Sequence, residues 1–307
     1  MQLIRSTKEL ASCSRKSCLA IGVFDGVHLG HQQIIRQTIA DARQHGALAL
    51  VLTFDQHPNA VVAPDRVPPL IYSVPQKIRA IESLGSDALL LVHFDRAFSE
   101  QTGETFIRQL ARDLGRIHSV CVGADFTFGH RRSGNVALLR QLGAELQFTV
   151  HGLAAVALDA QTISSTRIRE AIRAGELDVA SQMLGRTYSL AGHVVRGDQL
   201  GQKLGFPTAN LDVSGLALPP TGVYAAHASV GGQRHRAVLN IGHRPTLANS
   251  SVQPRVEVHL LDFAGDLYGQ ELEVAFVEKL RDEQRFANLD ALKSQIARDI
   301  ADARGRL

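Results

Sequence analysis

The sequence predicts an α/β domain built on a parallel sheet, followed by a mainly β domain: a small antiparallel barrel with a C-terminal helix. Three observations carry this reading. From Cys18 to about Leu184 short apolar runs alternate with amphipathic stretches, the texture of a parallel sheet with helices on both faces. After Gly185 the chain turns to closely spaced strand patterns separated by Gly and Pro, which argues for a small barrel. At 307 residues the chain is longer than one usual domain and short of three. The domains expected are therefore 1–185 and 186–307, without internal repeats or low-complexity tracts.

In order, strands are expected near 18–24, 47–54, 88–94, 119–122 and 146–151, and helices near 30–45, 74–84, 102–114 and 135–142. The loops Gly22 to Gly30, Phe54 to Pro58 and Gly123 to Gly134 then fall at the carboxyl edge of the sheet, where ligands bind in such folds. Pro58, Pro64, Pro68, Pro69 and Pro75 rule out a long helix over 56–75 and suggest a loop or flap over the site. Ser164, Ser165 and Thr166 are natural caps for a helix reaching Arg173, and a second helix near 177–184 ends at Gly185. Barrel strands are expected at Tyr188–Val195, Gly222–Val230, His235–Ile241, Arg255–Asp262 and Leu272–Leu280. The closing helix, about Leu289 to Ala303, carries Leu289, Leu292, Ile296 and Ile300 at helical spacing.

Composition excludes several classes of function. There are 33 basic and 30 acidic side chains, interspersed, with no long run of like charge, so the balance suits small anions better than a nucleic acid. Cys13, Cys18 and Cys121 form no CxxC pair and give an odd count, which fits a reducing, cytoplasmic setting. No segment has the apolar length of a signal peptide or a bilayer span.

The densest chemistry begins at Leu19-Ala20-Ile21-Gly22-Val23-Phe24-Asp25-Gly26-Val27-His28-Leu29-Gly30-His31, a buried strand entering a glycine turn and then a helix. Gly22, Gly26 and Gly30 let the backbone approach a phosphate, and the helix start points free N–H groups at it. His28 and His31 can donate from ring nitrogens to oxygens that gain charge in a transition state. Zinc is a poorer reading of the pair, because the Glu of HExxH and a third ligand are missing. GxGxxG and P-loop fingerprints are absent. Downstream, Ser164-Ser165-Thr166 precede Arg167 and Arg169, which could add a second, charge-assisted phosphate cluster to what is otherwise a helix cap. The HxGH turn with a Ser-Ser-Thr-x-Ile-Arg helix start resembles the paired signature of nucleotidyltransferases, which implies a Rossmann-like domain.

In the second half, Gly201-Gln202-Lys203-Leu204-Gly205-Phe206-Pro207-Thr208-Ala209-Asn210-Leu211 stands out. Lys203 and its flanking glycines, Gly205 among them, suit phosphates. Thr208 and Asn210, two residues apart in an extended stretch, face one side as neutral oxygen ligands for magnesium. Across Arg255-Val256-Glu257-Val258-His259-Leu260 the period-two pattern turns Arg255, Glu257 and His259 away from the core. Glu257 is a candidate to accept the proton of an attacking hydroxyl, as carboxylates do in many kinases.

Together GVFDGVHLGH, VGADFTFG, ISSTRIRE, LGFPTANL, GHRPT, VEVHLLDF and the LRDEQRF tail resemble the bacterial bifunctional riboflavin kinase/FAD synthetase family, in the family's order and over nearly the whole chain. The resemblance implies an N-terminal adenylyltransferase making FAD from FMN and ATP, and a C-terminal barrel kinase making FMN from riboflavin and ATP. Both steps would use Mg2+. It implies that His28 and His31 bind ATP phosphates with Ser164, Ser165 and Thr166, alongside Gly22, Phe24, Gly26 and Gly30. Asp125, Phe126 and Phe128 would line the nucleotide and flavin region. Lys203 and Gly205 would face the kinase phosphates, Thr208 and Asn210 the metal, and Arg281 the flavin, with Glu257 as base. Three positions depart from the family pattern: Gln56 for Pro, Leu247 for Phe, and Thr162 for a basic residue. The rival readings are an adenylyltransferase for another phosphorylated acceptor with a non-catalytic barrel, a flavin-binding protein without catalysis, and a class I tRNA-synthetase relative. The first is disfavoured by PTAN with Glu257, the second by intact HLGH, SST and PTAN, and the third because it would need a tRNA-binding appendage and a stronger basic surface.

Overall fold

The computed structural model describes residues 1–10, 15–243 and 254–307. Cys13, Arg244-Pro245-Thr246 and Leu247 lie outside the described residues. The chain divides into two compact units, Met1–Arg167 and Ile168–Leu307, and the division falls within the helix Ser165–Ala174.

The first unit is a six-stranded sheet with every pairing parallel, in the order Gln2–Ile4, Ala88–Val92, Leu48–Phe54, Ser17–Ile21, Ile117–Gly123, Thr149–Leu153. Ser17–Ile21 is buried at all five positions. Leu19 and Ile21 join a core packed by helices Gly103–Leu114 and Val136–Leu146, while Cys18 and Ala20 join the opposite core beneath Leu29–His45 and Val74–Glu82. Two covered faces explain why the strand reads as a continuous apolar run. From Ser17–Ile21 the sheet grows one way through Leu48–Phe54 and Ala88–Val92, then resumes on the other side at Ile117–Gly123. Strand order therefore reverses between Ser17–Ile21 and Ile117–Gly123, the crevice where open α/β sheets bind ligands.

The expected elements are present, with shifted ends. The strand expected at 146–151 begins at Thr149, because helix Val136–Leu146 runs one turn further and stops at Gln147, which is left-handed (φ 62°) and donates its N–H to Gly143. The strand expected to 24 ends at Ile21. Gln2–Ile4 and Ala209–Leu211 are strands too short for any periodicity to reveal. Across the proline-rich segment only Asn59–Val62 and Pro64–Arg66 coil, each for about one turn.

The second unit is a closed barrel in the order Ser189–Val195, Ala209–Leu211, Pro254–Leu260, Gln233–His243, Gly222–Val230, Glu271–Arg281, with all pairings antiparallel. Val256, Val258 and Leu260 point into the core and Arg255, Glu257 and His259 do not. Helix Leu289–Arg306 seats Ile300 and Ala303 against Val223, Ala225 and Val238. Leu289, expected on that apolar stripe, instead faces solvent.

Candidate active sites

In the first unit the turn after Ser17–Ile21 is held in a costly conformation. Phe24 (φ 51°) and Val27 (φ 42°) are left-handed without being glycine, and a β-branched residue there is a true outlier. Surrounding packing enforces it: both are fully buried, Val27 donates its N–H to Phe24 O at 3.2 Å, and Gln32 Nε2 donates to Val27 O at 3.0 Å. Gly26, also left-handed (φ 77°), lies where an added Cβ would meet Ile71 at 2.9 Å.

His28 closes this turn as the N-cap of Leu29–His45; its Nδ1 accepts the His31 N–H at 3.4 Å. An accepting Nδ1 in a neutral imidazole leaves the proton on Nε2, so the cap itself fixes His28 as a donor at its outer nitrogen. The His28 and His31 rings stack at 3.5 Å, and the Phe24 ring meets His31 edge-on at 5.2 Å. Phe24 is 1% exposed. Its side chain thus backs His31, and any contact with a nucleotide is through its backbone.

Asp25, which the sequence reading did not single out, joins three segments. Its carboxylate accepts the N–H groups of Ile71 (3.0 Å) and Tyr72 (3.3 Å) at the end of the proline-rich segment, and its carbonyl accepts the Ser165 hydroxyl at 3.0 Å. The Ser-Ser-Thr start is thereby tied to the glycine turn across 140 residues. Ser164 Oγ accepts the Arg167 N–H at 3.2 Å as the cap, and Thr166 is exposed beside it. Both arginines are engaged within the protein: Arg167 Nη1 donates to the carbonyls of Leu158 and Gln161, and Arg169 is buried.

Lys77 fastens the rim from below. Its Nζ donates to Phe54 O at 2.6 Å, Thr53 Oγ1 at 3.3 Å and Val23 O at 3.4 Å, joining the carboxyl ends of two strands. Burial pushes its pKa down to about 8, against the pull of Asp25 and Asp55, which favour the ammonium. Unfolded, the amine titrates near 10.5, so between these values the unfolded chain holds the extra proton. Stability therefore rises with pH through that window and is lost as pH falls through the folded value. Denaturant titrations at about pH 7.5 and about pH 10 should show the wild type gaining on the order of 2 kcal/mol relative to Lys77→Met; equal pH slopes for the two proteins would refute this.

Beside the turn, walled by Ile21 and Val23, opens a cavity of 640 Å³ lined by Phe54, Phe94, Phe98, Phe106, Phe126 and Phe128. The rings form a continuous series of contacts, edge-on from Phe54 through Phe94, Phe98 and Phe106, and stacked between Phe126 and Phe128 at 5.2 Å. Arg131 (φ 51°) and Arg132 (φ 57°) stand in left-handed backbone on the cavity wall, and among the described residues neither guanidinium is ion-paired. Asp125 is exposed and does not line this cavity.

In the barrel, two cavities share a single lining residue, Thr208. One, of 520 Å³, has Gln199, Gln202, Phe263, Asp266 and Tyr268 on its wall. The other, of 370 Å³, is lined by Arg255, Glu257, Asn240, Arg281, Phe286 and the closing-helix residues Leu292, Ile296 and Ile300. Asn210, Glu257 and Asn240 lie side by side on three adjacent strands. Gly197 presses on the Asn210 amide, where a Cβ would come within 2.3 Å of Nδ2. His259 Nδ1 donates to Pro207 O at 2.7 Å and pins the segment leading to Thr208. Arg281 is bound in a fork to Asp299 (2.8 and 2.7 Å) and lies over the Phe286 ring at 5.7 Å. Lys203 is exposed, and neither it nor Gly205 lines these cavities.

Family comparisons agree with this layout. Residues 10–167 match the FAD synthetase family model and 184–307 the riboflavin kinase model. Over 306 residues the chain is 39% identical to the bifunctional riboflavin kinase/FMN adenylyltransferase of Escherichia coli K12, covering 99% of this chain and 97% of that protein. The chain belongs to the bifunctional riboflavin kinase/FMN adenylyltransferase family. Proteins of the same description in Pseudomonas fluorescens and Haemophilus influenzae are 38% and 37% identical, over 99% of the chain. A solved structure described as a macrolide-efflux protein from Streptococcus pneumoniae superposes with a TM-score of 0.82 at 28% identity, covering 99% of both chains. Among the described residues of this family member, no helix is long and apolar enough to cross a membrane.

One departure from the family pattern has a physical role. Gln56, named above as such a departure, donates its side-chain amide to Phe94 O at 2.7 Å, a bond proline cannot make, and so ties its loop to the backbone of a residue in the cavity wall. Thr162 lies exposed in the small hairpin Ala157–Leu158 with Gln161–Thr162.

Proposed function

We propose that residues 1–185 transfer the adenylyl group of ATP to FMN and residues 186–307 phosphorylate riboflavin, so that the two activities of the family are carried by separate sites. The observation behind this is the presence in each unit of a ligand-sized cavity beside its own set of phosphate-handling residues. The rival reading, a barrel that only binds, has nothing to recommend it beside the riboflavin kinase match over 184–307.

In the barrel, the 370 Å³ cavity suits the flavin, since Phe286, Leu292, Ile296 and Ile300 offer an apolar wall to a flat ring and Glu257 faces the same space. The 520 Å³ cavity, with Phe263 and Tyr268, suits the nucleotide. A phosphoryl group passing between them would cross at Thr208, the residue common to both walls. Glu257 takes the proton of the ribityl hydroxyl as its oxygen attacks the γ-phosphorus, and ADP leaves. Thr208 and Asn210 are the residues for Mg2+, which when bound supplies positive charge against the phosphates. They fit a hard cation: their donors are oxygens, and Asn210 Oδ1 and Glu257 Oε1 both already hold a positive group, the Arg255 guanidinium. Arg281, held by Asp299, would act on the flavin by fixing the cavity's floor.

In the first unit, an FMN phosphate oxygen attacks the α-phosphorus of ATP and pyrophosphate leaves, so the protein positions and neutralises charge without a covalent step. His28 Nε2–H, His31, Ser164, Ser165, Thr166 and the backbone from Gly22 to Gly30 would face ATP. Phe126 and Phe128 with the four further phenylalanines would take the flavin ring, and Arg131 and Arg132 its phosphate. The setting proposed is cytoplasmic, where the buried free thiols Cys18 and Cys121 stay reduced. Incubated with riboflavin, ATP and magnesium, the protein should release FMN first and FAD second by chromatography; absence of both at any ATP concentration would overturn the reading.

A further inference from the structure

Arg255 occupies the centre of the kinase site without any role yet assigned to it. Its Nε donates to Asn210 Oδ1 at 2.9 Å, its Nη2 lies 3.0 Å from Glu257 Oε1, and its Nη1 binds Asp198 Oδ2 at 2.8 Å. One planar guanidinium thus spans a metal-ligand candidate, the candidate base, and a second carboxylate on the cavity wall. Arginine suits this, because its rigid fork can serve several acceptors at fixed angles.

Two of those acceptors have other work in the reaction. A divalent cation on Asn210 would sit about 2 Å from the same Oδ1 that Arg255 holds. A guanidinium and a metal ion cannot share that oxygen at such separations without strong repulsion. Glu257 Oε1, too, is engaged by the arginine, which leaves Oε2 as the oxygen open to a hydroxyl. Asp198 offers a retreat: it is already bonded to the far end of the same side chain, and at 48% exposure it is more open than Glu257.

We propose that Arg255 is the resident cation of the kinase site, closing the Asn210–Glu257 pair before the metal binds and yielding to the divalent cation by swinging toward Asp198. It is a positioning residue that keeps two like-seeking oxygen groups ordered until the metal and nucleotide arrive, at the cost of competing with the metal. The inference rests on the reading of Thr208 and Asn210 as the magnesium residues.

Manganese binding tests it directly. Free Mn2+ would be measured by electron paramagnetic resonance during titration of the full chain in the presence of ADP, for wild type, Arg255→Met and Thr208→Val. The adenylyltransferase unit contributes the same background to all three. Arg255→Met should bind Mn2+ roughly tenfold more tightly, the scale set by removing one unit charge at a partly solvated site. Unchanged or weaker binding overturns the proposal, and weaker binding would mean that Arg255 helps hold the nucleotide. Thr208→Val separates the two levels: if it leaves Mn2+ affinity unaltered the metal assignment itself fails, whereas weakening there without tightening in Arg255→Met sinks the Arg255 proposal alone. Should Arg255→Met melt at a reduced temperature, Arg255→Gln decides, since it removes the same charge while keeping a polar side chain at that position, and it should still tighten binding; no tightening there overturns the proposal equally.

Discussion

Glu257→Ala should abolish FMN formation from riboflavin while leaving FMN-to-FAD conversion intact. The side chain is a quarter exposed and borders an open cavity, so its removal opens no void in the barrel core, where the neighbouring Val256 and Val258 do the packing. The loss should therefore be chemical. A positioned general base is worth about 10²- to 10⁴-fold in rate, and Glu257→Gln, which keeps the shape and hydrogen-bonding reach, should lose nearly as much. Separate assays with riboflavin and with FMN as the flavin substrate check both halves of the claim. A variant that phosphorylates riboflavin within about tenfold of wild type would place the base elsewhere. So would parallel loss of both activities in a protein that melts normally.

Different features of these sites were legible in sequence to different degrees, for physical reasons. The turn from Gly22 to His31 was readable because closely spaced glycines, two histidines and a helix start together make a set of donors that suits an anion and little else. Glu257 was readable because strand alternation assigns its face with period two. What escaped is what depends on tertiary closure. Asp25 looks like a turn residue until the chain brings Ile71, Tyr72 and Ser165 to it. Lys77 lies on an amphipathic helix where a lysine is ordinarily solvated, and only the packing of Val74–Glu82 under two strand ends buries it. Of the six phenylalanines around the first cavity, Phe126 and Phe128 belong to a motif, but Phe54, Phe94, Phe98 and Phe106 come from segments with no common spacing. Arg255 was placed on the correct face, yet its three partners are 2, 45 and 57 residues away in sequence.

The same contrast shows in Lys203, Asp125 and Arg169. Each lies inside or beside a motif and was read as a group for phosphates or for the nucleotide. In the fold Lys203 and Asp125 point to solvent and Arg169 is buried. A motif fixes the backbone path, and the tertiary fold decides which of its side chains line a cavity. At the Ser-Ser-Thr start the Ser165 hydroxyl is tied to the glycine turn, whereas Arg167 is engaged by the carbonyls of Leu158 and Gln161.

His28→Ala should invert the phenotype of Glu257→Ala: FMN accumulates from riboflavin and FAD formation falls by about 10²- to 10³-fold, the cost of removing one preorganised donor to a developing charge. The alanine variant alone is ambiguous, because His28 also caps Leu29–His45 and losing a cap costs roughly 0.5–2 kcal/mol of stability. His28→Asn resolves it. Asparagine is among the best N-caps and restores an acceptor for the His31 N–H, but it cannot present a proton where Nε2–H stood. The expected result is a melting temperature returned to near wild type with FAD synthesis still lost. Recovery of FAD synthesis in His28→Asn would make the histidine a cap and nothing more, and the charge-stabilising role would pass to His31, whose ring is stacked against it. If both variants fail while FMN formation persists, the donor at Nε2 is what the strained turn from Phe24 to Val27 exists to hold in place.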